Sequence, residues 1–197
     1  SAESVARAQK AIAGGAFKDE IVPVTVVTRK GETVVDGDEE PGKIDPSKIP
    51  TLRAAFGKDG VLTAASSSKI SDGAAATVLM SSDEAARRGL QPLAKIVAHA
   101  THAQAPEWFT TAPVVAIENV LKKAGWNVAD VDLFEINEAF ACVAMAPMKD
   151  LGIAHETEPA VVGHVEPLVT VGGDRVGAID AVVEMRQPRG RAREETE

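Results

Sequence analysis

The segment Glu135-Ile136-Asn137-Glu138-Ala139-Phe140-Ala141 sets an amide and a carboxylate where an apolar stretch, Val131 to Ile136, gives way to a run of small apolar residues. If the first is a parallel strand and the second a helix, the junction lies where open α/β sheets hold their ligands. The Asn137 amide can fix a water or donate a hydrogen bond to a developing oxyanion, and an adjacent helix N-terminus favours the same negative charge. The plainer alternative is that Asn137 and Glu138 only cap the helix. Spacing does not decide between them. A second candidate is Thr63 to Gly73, TAASSSKISDG. The hydroxyls and backbone amides of Ser66, Ser67 and Ser68 can face an amide-rich ligand arm, with Ala64 permitting close approach, or the stretch is simply a serine-rich turn.

Other reactive side chains offer less. Cys142 is the single thiol and falls in the apolar run with no histidine near it in sequence, which points to an inert core thiol. His99, His102, His155 and His164 show no H-E-x-x-H or i, i+4 pairing, so no metal is expected. Gly172 to Gly177, GGDRVG, lacks both the Lys-Ser/Thr ending and the G-x-G-x-x-G spacing of a phosphate loop.

The elements that must position these residues follow from periodicity. Ser1 to Ile12 predicts an amphipathic helix facing inward with Val5, Ala8 and Ile12, stopped by Gly14-Gly15 and lacking a capping residue before it. That missing cap, with the start at Ser1, reads either as the tail of a longer element or as a fraying terminus. Ile21 to Thr28 and Glu32 to Val35 predict a hairpin around Lys30-Gly31, and Asp36 to Pro50, with its glycines and prolines, predicts a loop. Ala74 to Met80 is apolar on both faces and predicts a central strand, followed by a helix that Ser81 and Glu84 begin as a capping box and Gly89 ends. Leu93 to Ala100 predicts a strand. The next helix carries Pro113 in its first turn, Val114, Ile117, Leu121 and Ala124 inward, and Gly125 at its end. Val131 to Ile136 predicts the next strand and Ala139 to Leu151 a helix buried all round. Alternating strands and helices imply a layered α/β domain with a mainly parallel sheet. The mixed-charge tail from Gln187 reads as disordered.

Composition narrows the function. With 45% hydrophobic and 25% charged residues, the 197-residue chain has a globular balance. A formal charge of -8 gives no source for phosphate-backbone attraction, so no nucleic-acid partner is expected. One cysteine excludes an internal disulfide and fits a reducing, cytoplasmic setting. No apolar run is long enough to cross a bilayer, and no leader precedes Ser1, so neither membrane nor export is expected. Aromatics at 4% leave the core to Ala, Val, Ile and Leu.

Taken together, two segments resemble the thiolase family. Thr63 to Met80 (TAASSSKISDGAAATVLM) is similar to the stretch entering the last strand of that family's N-terminal half, and Asn137 to Ala141 (NEAFA) matches a signature of its C-terminal half. Phe17 to Pro23, Arg53 to Phe56, Gly89 to Ile96 and Ala124 to Trp126 follow the same pattern, and the likeness runs from Ser1 to about His155. The resemblance implies a partial thiolase fold, α/β with layered parallel or mixed sheets and buried helices. It places residues 1–67 as a loop-domain remainder, 68–91 as the last strand and helix of the N-terminal core half, 92–156 as the start of the C-terminal half and 157–197 as a divergent tail.

The chemistry implied is acyl transfer between coenzyme A thioesters through a cysteine thiolate, in its simplest form two acetyl-CoA to acetoacetyl-CoA and CoA, or the thiolytic reverse. Coenzyme A thioesters would enter as substrates, with no separate cofactor, and the family's dimers and tetramers imply a homo-oligomer. Residue by residue, Asn137 resembles the asparagine holding an oxyanion-hole water, and Ser68 the serine that contacts the pantetheine arm. Phe56, Ala64, Ile70, Ala139 and Phe140 match positions lining the CoA channel. Ser68 and Asn137 are thereby expected to converge on one narrow slot.

Departures are as informative. The family's nucleophilic cysteine belongs to sequence ahead of the part that Ser1 begins, and the downstream N-x-N-G-G, G-H-P and C-x-G-G-G motifs do not occur. Gly163-His164-Val165 is the nearest echo, which makes His164 a weak second catalytic candidate. Pro41 and Lys48 depart from the nucleotide-end contacts. An inactive partial acyltransferase, a non-catalytic acyl-CoA binding module, and a remnant with open hydrophobic edges all fit these residues.

Overall fold

The structure, a computed structural model, describes residues 1–70, 72, 74, 76–155, 168–175 and 178–186. Its contacts divide the chain into two units, Ser1–Lys69 and Ile70–Glu197.

In the first unit, α1 (Ala2–Ala13) has Ser1 at its N-cap with no side-chain cap bond and runs out at Gly14, with Gly15 at φ 70°. It buries Val5 and Ala11, whereas Ile12 is exposed. The inward face is displaced from the predicted one because α2 (Glu40–Lys43) and a 3₁₀ turn at Pro46–Thr51 pack on the Ala11 side. Gln9 fastens this contact. Its Nε2 donates to the Pro41 carbonyl at 2.7 Å and the Ile44 carbonyl at 3.1 Å, occupying acceptors at the end of a very short helix.

Both short elements fall in the predicted loop 36–50. Pro41 and Pro46 stand in the first turns, where a fixed φ starts a helix rather than breaking it, and Pro50 lies further along the second. The second also has the Asp45 carboxylate accepting from Ser47 N at 3.0 Å. β1 (Val24–Thr28) and β2 (Gly31–Val35) form the predicted hairpin, antiparallel from Val24↔Val35 to Thr28↔Gly31. Its tip is Arg29-Lys30, one residue earlier than predicted, and Gly31 takes φ 121°, a conformation that glycine supplies. All ten strand residues are exposed.

In the second unit, the predicted central strand 74–80 is not formed. Its described residues belong to no strand, and Val78 is 84% exposed. An apolar run becomes a strand only where another strand accepts its hydrogen bonds, and none of the described strands lies beside it. α3 (Ser82–Arg87) starts as predicted, with Ser81 Oγ accepting from Glu84 N at 3.2 Å. It closes through Leu90 N donating to the Ala85 carbonyl at 2.9 Å, with Gly89 at φ 65°.

β3 (Ala94–Ala103), α4 (Ala112–Ala124), β4 (Leu133–Ile136) and α5 (Ala141–Leu151) follow in the predicted order, and β5 (Leu168–Arg175) and β6 (Ala178–Arg186) complete a sheet ordered β3-β6-β5-β4. β5 and β6 both lie within 157–197. β4 pairs with β5 in parallel, Leu133↔Leu168 to Ile136↔Val171, while β6 runs antiparallel to β3 and β5. The sheet is therefore mixed rather than mainly parallel, because the β5–β6 hairpin sits between β3 and β4.

α4 packs against β3, β6 and β5 and buries Ala116, Ile117, Val120 and Leu121. Val114 and Ala124, predicted inward, are half-buried at the margin. Leu133, Phe134 and Ile136 of β4 are buried on both faces. Phe134, Ile117 and Val120, the larger of these side chains, are worth roughly 1.5–3 kcal/mol each in area removed from water. α5 is not buried all round. Val143, Ala144 and Pro147 face in, but Met145 is 62% exposed.

Candidate functional site

Burial of Ile136 anchors the end of β4, so the chain leaves the sheet at Asn137. The turn that follows is made by backbone. Ala139 N donates to the Asn137 carbonyl at 3.0 Å, and Phe140, extended at φ −137°, ψ 152°, takes the N-cap of α5 and accepts from Val143 N at 2.9 Å. α5 thus begins at Ala141, two residues later than predicted, and no side chain caps it. The capping alternative for Asn137 does not hold: its side chain is exposed and makes no hydrogen bond among the described residues. An amide carried on a strand end, next to a helix N-terminus and without a partner among the described residues, is able to orient a water or an oxyanion.

Beside it, Ala139 and Phe140 are half-buried. The Phe140 ring meets Phe109 of a 3₁₀ turn at Pro106–Thr111, with centroids 6.0 Å apart and planes at 54°. This tilted aromatic pair gives the turn an apolar wall. Sequence reasoning missed Phe109, since a lone aromatic ahead of a helix carries no periodic signal. Cys142, the second residue of α5, is half-buried rather than a core thiol.

In the first unit the serine-rich segment is largely a self-contained turn. Ala54 bridges Thr63, and Ser66 Oγ accepts from Thr63 N at 2.8 Å. Ser67 Oγ donates to the Thr63 carbonyl at 2.8 Å, and Lys69 Nζ to the Ala64 carbonyl at 2.9 Å. The hydroxyls of Ser66 and Ser67, offered above as ligand contacts, are taken by the turn. Ser68 is exposed, and its side chain makes no hydrogen bond among the described residues. Ala64 is exposed and Phe56 is 71% exposed. Ile70, opening the second unit, is fully exposed. The structure therefore brings Asn137, Ala139 and Phe140 together on one turn and adds Phe109. Ser68, Phe56 and Ala64 belong to the other unit. His164 lies outside the described residues. Among the described residues no three His, Cys, Asp or Glu side chains gather as metal ligands, and no helix is long and apolar enough to cross a membrane.

With this geometry in place, the comparisons with known proteins are consistent across sequence and structure. The model of the thiolase N-terminal domain matches residues 1–83 and that of the thiolase C-terminal domain residues 90–176. The second match reaches beyond His155, where the likeness by motif stops. An acetyl-CoA acetyltransferase of Paracoccus denitrificans is 49% identical over 147 residues, 74% of this chain and 38% of that protein. A probable acetyl-CoA acetyltransferase of Dictyostelium discoideum is 50% identical over 154 residues, 78% and 37% of the two. The chain thus spans under two fifths of the length of these relatives.

Among solved structures, the acetyl-CoA acetyltransferase of Bacillus anthracis superposes with a TM-score of 0.84 at 33% identity, covering 94% of this chain and 55% of that one. The Acat5 thiolase of Ascaris suum in complex with coenzyme A gives 0.83 at 32%, covering 94% and 54%. The exit from β4 through Asn137 to Phe140, the mixed sheet that holds it and both family domains agree, and the chain belongs to the thiolase family.

Proposed function

We propose that these residues form part of a thiolase-type acyltransferase site for coenzyme A thioesters, in the simplest case acetyl-CoA C-acetyltransferase. Two acetyl-CoA would give acetoacetyl-CoA and CoA, or the reverse. The observation that supports this most directly is the Asn137 side chain, exposed at the end of β4 and without a hydrogen bond among the described residues. Its amide donates to a water or to the thioester oxygen as that oxygen gains negative charge, which lowers the barrier to enolate formation. Phe140 and Ala139 form the apolar wall that keeps water from the acyl group, and Ser68 contacts the amide-bearing arm, with Phe56, Ala64 and Ile70 along it.

The covalent step needs a thiolate that takes the acetyl group as CoA thiol leaves, and a base that removes a proton from the second acetyl-CoA. Cys142 is the single cysteine, half-buried on α5, and His164 is the weak candidate for the base. Turnover therefore requires groups beyond these 197 residues. The acidic charge of -8 favours neither nucleic acid nor an anionic membrane surface. The rest of this reading is a cytoplasmic homo-oligomer, dimer or tetramer, in fatty acid metabolism, with no metal or separate cofactor.

Calorimetric titration with acetyl-CoA and with CoA, run beside an assay of thiol release, tests the proposal. Saturable acetyl-CoA binding without turnover by the chain alone is expected. No binding of either ligand overturns the site, and turnover by the chain alone overturns the assignment of the nucleophile. The lone half-buried thiol also favours a second reading, a non-catalytic acyl-CoA binding module, which binding that stays unproductive with every added thiolase polypeptide would support.

A further inference from the structure

The 3₁₀ turn that carries Phe109 is held by a polar network that none of the matched motifs includes. Gln104, just past β3, donates from Nε2 to the Thr111 hydroxyl at 2.8 Å and to the Trp108 carbonyl. The Thr111 hydroxyl itself donates to the Trp108 carbonyl at 3.0 Å. His102 Nε2 lies 3.1 Å from Gln104 Oε1.

Counting donors fixes the direction of the network. Both Nε2 protons of Gln104 are committed to acceptors, so its Oε1 must accept, and His102 must carry a proton on Nε2. Flipping the Gln104 amide would set an oxygen against the Trp108 carbonyl. The result is a clamp from the end of β3, through one amide, onto the Trp108 carbonyl and the Thr111 hydroxyl. Phe109 lies between the two clamped positions, and its ring is the partner of Phe140. Trp108, by contrast, is largely exposed and adds little packing to hold the turn.

We propose that Gln104 is a positioning residue: by clamping Trp108 and Thr111 it holds the Phe109 ring against Phe140, and so sets the apolar wall that meets the acyl group of a coenzyme A thioester beside Asn137. The last clause rests on the proposed acyl-CoA site. Disturbing a wall that meets the acyl group costs more affinity for acetyl-CoA, which carries that group, than for CoA, which lacks it.

The test uses Gln104→Leu, which removes the donors at similar size, and Thr111→Val, which removes the hydroxyl and keeps the shape. Two measurements are made on the whole chain. Ring-to-ring NMR contacts report the Phe109–Phe140 pair without ligand, and calorimetry reports acetyl-CoA and CoA affinity. In both variants the ring contacts should weaken, acetyl-CoA affinity should fall about three- to tenfold, and CoA affinity should fall by clearly less. Undisturbed ring contacts in both variants overturn the clamp, as does an equal loss for both ligands, which would mark a general structural role. Disturbed ring contacts with no binding of either ligand by the unmodified chain keep the clamp and overturn the acyl-CoA site on which its purpose rests.

Discussion

Asn137 and Ser67, two small polar side chains that sequence reasoning placed at candidate sites, are used in opposite ways. Ser67 donates to the Thr63 carbonyl from a half-buried position, so its hydroxyl is part of the fold. Asn137 contributes only its backbone carbonyl to the turn. Ser67→Ala should therefore cost about 0.5–1.5 kcal/mol, while Asn137→Ala should stay within about 0.5 kcal/mol, both read from denaturant midpoints. A large loss at Asn137 would mean that its amide is structural.

Glu84 supplies a pH signature. The Arg87 guanidinium, bonded to its carboxylate at 2.6 and 2.7 Å, and then Arg88, hold its carboxyl below the ordinary glutamate range. The charged form is the one favoured in α3, so this support is present above the ordinary glutamate pKa and is lost as pH falls through the lowered value. Carbon NMR of the Glu84 carboxyl should show an acid-shifted midpoint that moves up in Arg87→Ala. Equal midpoints would remove the pairing from solution. Serine chemistry and the Asn137 motif were visible in sequence, but which hydroxyls the turn would take, and that Phe109 would meet Phe140, depend on contacts between segments that no local pattern encodes.

Among the elements, those with strong punctuation were legible. α4 ends at Gly125, φ 72°, with Trp126 N donating to the Leu121 carbonyl at 3.0 Å, and β4 follows within a few residues. Two kinds of expectation failed for physical reasons. The run 74–80 has the composition of a strand but no described neighbour to pair with, and α5, though built of small apolar residues, leaves Met145 outside because only one side meets α4 and the 106–111 turn. Small residues permit burial without causing it. The face of α4 was shifted for the same reason, since the sheet chose Ala116 and Val120 over Val114 and Ala124. Phe134→Ala, which empties the centre of this packing, should cost about 3–5 kcal/mol. Gly125→Ala should cost about 1 kcal/mol because its left-handed conformation disfavours a Cβ. Thermal and chemical melts of the two variants check both values. A Phe134→Ala loss near that of Gly125→Ala would show that β4 is not central to the core.

Across the whole molecule, buried apolar side chains are concentrated in the second unit, whose core joins α4, β4 and α5 with Ala100 of β3. In the first unit only Val5, among many valines and isoleucines, and Ala11 are buried. Apolar residues are exposed along the hairpin in the first unit and, separately, at Val78 and Leu79 in the second, and such apolar surface tends to mark a site of association. An environment-sensitive dye should bind the isolated chain, and Val78→Asp with Leu79→Lys should lower that signal without moving the unfolding midpoint. A shifted midpoint would place these side chains inside the folded core.

The exposed hairpin has a consequence for limited digestion. Its tip is the dibasic pair Arg29-Lys30, whereas Lys122-Lys123 lies within α4 with the Lys123 ammonium bonded to the His99 carbonyl at 2.9 Å, and Arg87-Arg88 closes α3 with both guanidinium groups paired to the Glu84 carboxylate. Trypsin, which must draw several residues of backbone into its cleft, should meet the tip first. A brief exposure should yield a nick between β1 and β2 while the piece bearing Asn137 stays whole, a practical handle for detaching α1 and β1 from the rest of the chain.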